Sequence, residues 1–338
     1  MKRELPLVSV IIPCYNAEQY VEVAVRSVMK QSYINLEVIT IDDCSTDNTL
    51  SILKKLASED NRIVLLCNNK NLGLVSTLNK GIYMAKGKYI ARMDADDISV
   101  FDRIDKQVNF LEENRGVALC GSNYLVIDEK GRQIGKIIFP SEDATIKAEL
   151  LFMNPFAHPT VMMKKETLEK CGFYEEGMVP AEDYELWVRI AKDHRVANIP
   201  DYLLKYRVHG NNITITQREN QKHVLQKILN KYVVSFGYAD AFVNYHFKFL
   251  CGAWSRKSSI DEINGFKQWE KALVEKNLKL GLASKSILKK CFAKYYSNAL
   301  LSIIKSNENT YRLKLQALLK LLLINPLVTM KHFTKKIA

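Results

Sequence analysis

The chain has 338 residues, 47% of them hydrophobic, which is enough for a large core in one or two domains. Seven scattered cysteines form no CxxC pair, which argues against a zinc site or a disulfide framework and favours a reducing cytosol. The sequence has no apolar leader and no apolar run of about 20 residues, so we expect neither a signal peptide nor a membrane-spanning helix.

The positive charge is concentrated in the C-terminal third. The formal net charge is +12, yet residues 1–214 carry 27 Lys and Arg against 30 Asp and Glu. Residues 215–338 carry 22 against 7. This asymmetry predicts an anionic partner for the last third, either a membrane surface or a nucleic acid. No nucleic-acid-binding module is recognisable, so we expect a membrane surface and no nucleic acid.

Strands and helices alternate over the first hundred residues. The predicted strands are Leu7–Ile12, Leu36–Ile41, Arg62–Cys67 and Lys88–Met93. The helices predicted between them are Ala17–Lys30, Asp47–Ala57 and Leu72–Ala85. Repeated strand–helix units predict an α/β fold with a mostly parallel sheet, and ligands bind such sheets outside the carboxyl ends of the strands. The polar clusters that follow these strands should therefore converge on one edge.

The rest of the chain changes character twice. Residues 103–214 mix helices and strands, whereas residues 215–338 are poor in Gly and Pro and are predicted to be helical. The elements predicted for the mixed part are helices at Arg103–Glu113, Ala144–Leu151 and Glu182–Lys192 and strands at Val117–Ile127, Ile134–Phe139, Arg195–Ile199 and Tyr202–Tyr206. We therefore predict a domain over residues 1–214 and a helical, basic extension over residues 215–338.

Three carboxylates, those of Asp94, Asp96 and Asp97, follow the predicted strand that ends at Met93. Carboxylates packed this closely are hard to ionise together unless a cation lies among them. Oxygen ligands at a strand end suit Mg²⁺ or Mn²⁺, which also bind the phosphate oxygens of a substrate. The alternative is a solvated acidic turn or a helix cap.

Asp42 and Asp43 follow the second strand, where Ser45 or Asp47 can cap the next helix. The first two acids are not needed for capping. A carboxylate at this place can accept the imide N–H of a uracil ring, and Tyr15 after the neighbouring strand could stack on that base. Tyr15 could equally be a core residue.

Glu182 and Asp183 fall in the first turn of a predicted helix whose apolar face is Leu186, Trp187 and Ile190. Acids at this position can simply complement the helix dipole. A carboxylate aimed into a cleft can instead act as a general base that takes a proton from an attacking hydroxyl.

An arginine and a histidine follow the last predicted strand of this part, within Tyr206–Asn212. Arg207 and His209 lie on the same face if the strand continues. Both could then contact a diphosphate, and His209 could complete a metal shell. A lone histidine is otherwise a structural residue.

Five segments occur in order over roughly residues 7–212. They are Val8–Asn16, Asp42–Asp47, Asn71–Gly73, Asp94–Asp97 and Glu182–Trp187. Together they resemble glycosyltransferase family 2, whose members are inverting enzymes of the GT-A fold. The resemblance implies a nucleotide-sugar-binding half at residues 1–98 and an acceptor-binding half at residues 99–214.

The resemblance also assigns site residues. Those that match the family's nucleotide-sugar site are Pro13, Tyr15, Asn16, Asp43, Asn71, Gly73, Arg92, Asp94 and Arg207. Among them, Asp43 should contact the uracil imide and Asp94 should lie near the ribose. The implied ligands of Mn²⁺ or Mg²⁺ are Asp96, Asp94 and His209. The implied catalytic pair is Asp183, as the base, with Glu182 beside it. His158 and Trp187 are expected on the acceptor side.

The function implied by the resemblance is transfer of a sugar from a UDP-sugar to a hydroxyl of a glycan acceptor, with inversion to a β-linkage. We expect a non-processive enzyme, because the polymerising members' Gln/Arg-x-x-Arg-Trp motif is missing, and a role in surface polysaccharide, lipopolysaccharide, O-antigen or capsule assembly. The alternative is a non-catalytic sugar-nucleotide-binding scaffold. A nucleotidyltransferase would need a Gly-rich, Arg-containing loop after the first strand, which Pro13–Asn16 does not supply.

Residues 313–324 have the pattern of an amphipathic helix. Leu315, Leu318, Leu319 and Leu322 form one apolar stripe of a predicted helix, and Lys-rich sequence follows it. This pattern favours an interfacial helix on an anionic leaflet, so we expect a cytoplasmic protein at the inner face of the membrane that acts on a lipid-linked acceptor. The alternative is a helix packed on the catalytic domain.

Overall fold

The structure is a computed structural model that describes residues 5–210, 218–235, 260–280, 283–305 and 309–324. The chain divides into two compact units. The first comprises Met1–Asp143 and Pro155–Val224, and the second comprises Ala144–Asn154 and Leu225–Ala338. The boundaries at residues 98 and 214 stay predictions.

The first unit is built from alternating strands and helices. The strands of the described residues are β1 Val8–Cys14, β2 Leu36–Asp42, β3 Ile63–Cys67, β4 Tyr89–Arg92, β5 Ile98–Ser99, β6 Val117–Ile127, β7 Gln133–Ile137, β8 Met162–Lys164 and β9 Arg195–Arg207. The helices up to β9 are α1 Val21–Met29, α2 Thr49–Glu59, α3 Leu74–Met84, α4 Arg103–Glu113, α5 Asp143–Glu149, α6 Lys165–Cys171 and α7 Glu182–Asp193. A 3-10 turn occupies His158–Thr160.

These nine strands form one sheet in the order β3-β2-β1-β4-β8-β6-β9-β5, with β7 paired to β6. The first four strands are parallel to one another, as the strand–helix alternation predicts. β8 is antiparallel to β4 and β6, whereas β6 and β9 are parallel. The predicted α/β fold is therefore confirmed, and its second half is mixed.

The central strands are buried because their sequences are apolar on both faces. β1 and β2 are composed mainly of Val and Ile, the continuous pattern of a parallel strand covered by helices on both sides. α3 lies close to β1, since a Cβ added at Gly81 would come within 2.8 Å of Ile11 Cγ2. Glycine at this position lets the helix, and the loop before it, sit directly against the sheet.

Sequence periodicity misses the shortest elements and divides the longest strand. β8 and α6 have three and seven residues, too few to establish a period. The two strands predicted at 195–199 and 202–206 are one strand, β9. Pro200 is tolerated because the pairing of β9 with β6 shifts register between Ser122 and Asn123, opposite this proline.

The second unit contains most of α5 and four further described helices: α8 Arg218–Ser235, which begins in the first unit, α9 Ile260–Leu280, α10 Lys285–Lys305 and α11 Tyr311–Ile324. The predicted helical extension is thus confirmed. Segment 144–154 packs on α10, where the Glu149 carboxylate accepts hydrogen bonds from Lys294 at 2.6 Å and Tyr295 at 2.5 Å. Within the described ranges, no helix is long and apolar enough to cross a bilayer.

Candidate active site

The carboxyl ends of β1, β2 and β4 lie side by side at one edge of the sheet. Cys14 of β1 pairs with Asp42 of β2, and Ile11 of β1 pairs with Arg92 of β4. Beyond the strands the Asp43 N–H still donates to the Cys14 carbonyl, at 2.8 Å. The polar segments after the three strands therefore converge, as the topology predicts.

Asp43 fastens the loop that precedes α3. Its Oδ1 accepts hydrogen bonds from Asn68 Nδ2 at 2.7 Å and from the Leu72 N–H at 2.8 Å, and its Oδ2 accepts from the Gly73 N–H at 2.9 Å. Gly73 has φ +81°, a conformation that favours glycine, and Asn71 Oδ1 also accepts from its N–H at 3.0 Å. The predicted site residues Asn71 and Gly73 are thus held in one turn against Asp43.

Asn16 joins the loops that follow β1 and β2. Its Oδ1 accepts from the Thr46 N–H at 2.8 Å, and its N–H donates to Ser45 Oγ at 3.1 Å. Pro13 is half-buried in β1, and Tyr15 is 51% exposed. Tyr15 is therefore available for stacking rather than part of the core.

The acids after β4 form a tight cluster. One carboxylate oxygen of each of Asp94, Asp96 and Asp97 lies within 4.8 Å of the others. Asp96 Oδ2 is 2.8 Å from His209 Nε2. Asp97 is completely buried; its Oδ1 accepts from the Arg207 N–H at 2.8 Å, and among the described residues its Oδ2 has no hydrogen-bond partner.

The acids of the cluster oppose one another's ionisation. Burial and the charges of Asp94 and Asp96 raise the pKa of Asp97 well above its ordinary value. Burial and Asp94 also raise the pKa of Asp96, against the influence of His209. Closely spaced oxygen ligands that resist ionisation together form the donor set that a hard divalent cation would stabilise.

Arg207 contacts the acid cluster through its backbone and its side chain. Its Nε donates to the Asp96 carbonyl at 2.8 Å, and its Nη1 donates to the carbonyls of Asp128 and Glu129 at 3.0 Å each. Its guanidinium lies 4.6 Å from the centre of the Tyr20 ring, which also stacks on His209. Arg207 is therefore largely committed to the protein's own backbone.

Arg92 connects the acid cluster with the start of α7. It is 3% exposed, and its Nη1 and Nη2 bind the two Asp94 oxygens at 2.6 and 2.5 Å. Its charge also favours the ionised form of Glu182 and, together with burial, lowers the pKa of His158. Asp94 in turn raises the pKa of Glu182, so these groups belong to one electrostatic environment.

Glu182 and Asp183 begin α7, as predicted, but Glu182 is not a solvated dipole-complementing acid. It is 4% exposed, and among the described residues its Oε2 has no hydrogen-bond partner. Burial and the adjacent Asp183 raise the pKa of Glu182 to about 7. Asp183 is more accessible, and its Oδ1 accepts from the Tyr184 N–H at 2.7 Å.

His158 lies beside this pair, whereas Trp187 lies behind it. His158 Nδ1 is 3.6 Å from Glu182 Oε1, and its Nε2 is 2.8 Å from the Tyr174 hydroxyl. Trp187 is completely buried and packs edge-on against the His158 ring at 5.9 Å. Trp187 therefore has no exposed surface of its own and supports the rings of His158 and Tyr174.

Two comparisons place the chain in a family. Residues 9–172 match the glycosyl transferase family 2 model. An uncharacterized glycosyltransferase of Haemophilus influenzae is 38% identical over 232 residues, which cover 66% of this chain and 72% of that protein. The chain belongs to glycosyl transferase family 2. Another relative of this family 2 glycosyltransferase, the O-antigen biosynthesis glycosyltransferase WbnJ of Escherichia coli, is 34% identical over 62% of this chain and 82% of that protein.

A solved structure shares the fold of the family 2 chain. TarS 1-349 of S. aureus, in complex with UDP-GlcNAc, superposes with a TM-score of 0.60 over 88% of both chains, at 18% identity. At this identity the likeness concerns the fold alone. The GT-A fold that the sequence motifs implied is thereby confirmed.

Sequence reasoning missed two residues of this site: Tyr20, which supports Arg207 and His209, and Tyr174, which contacts His158. It named Asp97 in the acid run but not among the implied cation ligands, and the structure places Asp97 in the cluster. No local signal distinguishes Tyr20 or Tyr174 from ordinary core aromatics.

Proposed function

We propose that this family 2 glycosyltransferase moves a sugar from a UDP-sugar to a hydroxyl of a glycan acceptor, with inversion at the anomeric carbon. The observation that carries the proposal is the placement of two sets of acids in one environment. The Arg92 guanidinium binds both Asp94 oxygens, at 2.6 and 2.5 Å. The charges of Arg92 and Asp94 both act on Glu182, so the two sets of acids share one electrostatic environment. A cation-binding cluster beside a poised acid pair is what glycosyl transfer from a diphosphate donor requires.

The uridine would occupy the edge formed by β1 and β2. Tyr15 is exposed there and can stack on the base. The Asp43 carboxylate uses three of its roughly four acceptor positions on its own chain, which leaves one for the uracil imide N–H. The complex of the similarly folded TarS with UDP-GlcNAc supports a uridine diphosphate donor.

The residues after β4 fit a divalent cation. The clustered carboxylate oxygens include Asp97 Oδ2, which has no hydrogen-bond partner within the described part of the chain, and they are hard ligands that suit a divalent cation. Asp96, with Asp94, Asp97 and His209 near it, would hold Mg²⁺ or Mn²⁺. When bound, the cation would supply Lewis-acid stabilisation of the negative charge that develops on the leaving UDP.

The chain's own groups would carry out the remaining steps. Asp183 takes the proton from the acceptor hydroxyl, which attacks the anomeric carbon from the face opposite UDP. Glu182 accepts a hydrogen bond from a substrate hydroxyl and holds it in place. Because one displacement inverts the configuration, an α-linked donor yields a β-glycoside without a covalent intermediate.

The product would be a single glycosidic bond in the assembly of a surface polysaccharide, lipopolysaccharide, O-antigen or capsule. The name of the relative WbnJ supports O-antigen assembly. The 338-residue sequence carries no polymerase-type Gln/Arg-x-x-Arg-Trp motif, which supports non-processive transfer.

The helix α11 would hold the enzyme at the inner, anionic membrane surface, where a lipid-linked acceptor is found. Its Leu313, Ala317 and Leu321 are buried within the unit. Its exposed apolar residues are Leu315, Leu319, Leu322 and Leu323, from 43% to 85% exposed. An exposed apolar stripe on a basic region is typical of interfacial helices.

A donor screen tests the activity directly. Thermal midpoints are measured with a panel of UDP-sugars, GDP-mannose and dTDP-glucose, each with and without Mn²⁺ or Mg²⁺, because a bound ligand stabilises the folded state by mass action. We expect a rise only for uridine donors, larger with the cation, and cation-dependent release of UDP. A response confined to another nucleotide would refute the donor assignment.

Vesicle sedimentation tests the membrane proposal. The full chain should sediment with phosphatidylglycerol vesicles and remain free with phosphatidylcholine vesicles. A double variant, Leu319→Ser with Leu323→Ser, should lose most of this binding. The matched control is Ile138→Ser, which removes an exposed isoleucine of the first unit. Equal binding by the control and the double variant would overturn the assignment of α11.

A further inference from the structure

The loop between α6 and α7 is fastened at two points. The Arg189 guanidinium of α7 donates to the three backbone carbonyls of Cys171, Gly172 and Phe173 at 2.6–3.0 Å. Asn79 of α3 binds both backbone groups of Tyr174: its Nδ2 donates to the carbonyl at 2.9 Å, and its Oδ1 accepts from the N–H at 3.0 Å. A surface loop is rarely fixed so fully, and the residue fixed here is Tyr174.

The Tyr174 side chain points at the acid pair through a histidine. Its hydroxyl is 2.8 Å from His158 Nε2, and the other ring nitrogen, Nδ1, is 3.6 Å from Glu182 Oε1. That second distance is longer than a hydrogen bond, and catalytic hydrogen bonds are often this long before a substrate is bound. Trp187 packs edge-on against both rings, with ring centres 5.9 Å from His158 and 6.5 Å from Tyr174.

The protonation states of the three groups restrict how they can bond. Burial raises the pKa of Tyr174, so the phenol keeps its proton. Burial and the charge of Arg92 lower the pKa of His158 well below its ordinary value, so the imidazole is neutral and carries one N–H. Two arrangements remain, which differ in whether that N–H is on Nε2, toward Tyr174, or on Nδ1, toward Glu182.

We propose that Tyr174 is a positioning residue whose hydroxyl donates to His158 Nε2 and so holds the imidazole in the tautomer whose Nδ1–H faces the Glu182 carboxylate. The proposal rests on the proposed function, in which ionised Glu182 receives a substrate hydroxyl. In this arrangement every proton of the Tyr174–His158–Glu182 chain points toward the carboxylate. These three side chains thus keep Glu182 ionised, so that it can accept a hydrogen bond from a substrate hydroxyl.

The tautomer matters because the surroundings of Glu182 raise its pKa to about 7, where a further hydrogen bond can decide whether it is ionised. Burial, Asp183 and Asp94 favour its protonated form, whereas Arg92 and a backbone hydrogen bond favour its ionised form. An N–H aimed at the carboxylate adds to the second group. If the Nε2–H tautomer prevailed, the Nδ1 lone pair would face Glu182, and only the protonated acid could bond to it.

Nitrogen NMR of the ring tests the arrangement without any substrate. The full chain is labelled with ¹⁵N-histidine, and the signal of His158 is identified among the six histidines from its loss in His158→Asn. Long-range ¹⁵N shifts should show the neutral Nδ1–H tautomer in the wild type and a growing Nε2–H population in Tyr174→Phe. A wild-type Nε2–H tautomer would overturn the proposal, whatever the enzyme's activity.

The rate profile tests the consequence. Tyr174→Phe should shift the acidic limb of kcat upward by about one pH unit, which is about a tenfold loss at pH below the limb. The loss should vanish at alkaline pH, and the KM for the donor should be unchanged. A purely structural role predicts an equal loss at every pH, which would contradict the proposal.

The control is Tyr33→Phe. Tyr33 is also buried, and its hydroxyl donates one hydrogen bond, to the Pro6 carbonyl at 2.6 Å. The substitution removes a buried phenol hydroxyl outside the site and should leave the pH dependence of kcat unchanged. If neither variant nor wild type transfers sugar while the tautomers are as expected, the proposed function fails and the positioning assignment stands.

Discussion

The two sides of the candidate active site use their carboxylates differently. Asp43, on the proposed donor side, receives three hydrogen bonds from its own chain, and the loop before α3 depends on it. Glu182, on the proposed acceptor side, is equally buried, but Oε2 has no partner among the described residues and its pKa is raised to about 7. The donor edge is preorganised by the fold. Glu182 Oε2 keeps a hydrogen-bonding position that a substrate hydroxyl could use.

The largest expected effect is on the acceptor side. Asp183→Asn removes the proposed base and should lower the transfer rate by about 10²–10⁴-fold. UDP binding, measured by calorimetry, should change less than about twofold, because Asp183 lies outside the donor edge. Asp193→Asn, at the other end of α7, is the matched control and should retain full activity. Wild-type turnover in Asp183→Asn would refute the base assignment.

The acid cluster should respond to the loss of one carboxyl group in two opposite ways. In Asp97→Asn the amide oxygen can still accept from the Arg207 N–H, while a buried carboxyl that resists ionisation beside Asp94 and Asp96 becomes a neutral amide. Without metal, the thermal midpoint should stay equal or rise, because the cluster no longer contains a third acid that can ionise only at a cost. The rise in midpoint that Mn²⁺ gives the wild type with UDP should disappear. A preserved Mn²⁺ response would remove Asp97 from the cation site.

Substitution of Asp43 should lower both the stability of the protein and its affinity for UDP. Asp43→Asn turns an N–H group toward a backbone N–H and should cost about 2–3 kcal/mol, the range for hydrogen bonds to a charged group. Thermal midpoint and UDP affinity should fall together. Asp128→Asn, at an exposed turn where water replaces lost bonds, should cost less than about 1 kcal/mol. A loss of affinity with unchanged stability would show that Asp43 is free rather than committed.

The smallest effect is a dependence of stability on pH. Because the folded protein holds the Glu182 proton more tightly than the unfolded chain does, the contribution of this group to stability falls as the pH rises from 4.5 to about 7. The thermal midpoint of Glu182→Gln should therefore rise relative to that of the wild type by about 2–4 °C over that interval. The exposed Glu113→Gln should show no such trend. A constant difference across the interval would mean that Glu182 titrates normally.

Sequence reasoning reached the fold because its signals are local and repeated. Apolar runs such as those of β1 and β2, separated by helical periods, leave few arrangements other than a parallel sheet. The same topology brings the polar ends of β1, β2 and β4 together, so Asp43 and the acids after Met93 could be grouped without coordinates.

Burial and pairing within the site could not be read from the sequence. The motif match placed Trp187 on the acceptor side, and packing hides it completely behind His158. Asn79 and Tyr174 are 95 residues apart, and the local sequence around either residue does not predict their contact. Such pairs depend on where two separately formed segments meet.

The sequence by itself determined the architecture, the family and the order of acids along the sheet edge, because hydrophobic periodicity and motif spacing are properties of neighbouring residues. Only the tertiary structure decided which acid is held by hydrogen bonds and which is left poised. That distinction depends on desolvation and on partners distant in the chain, as the contrast between Asp43 and Glu182 shows.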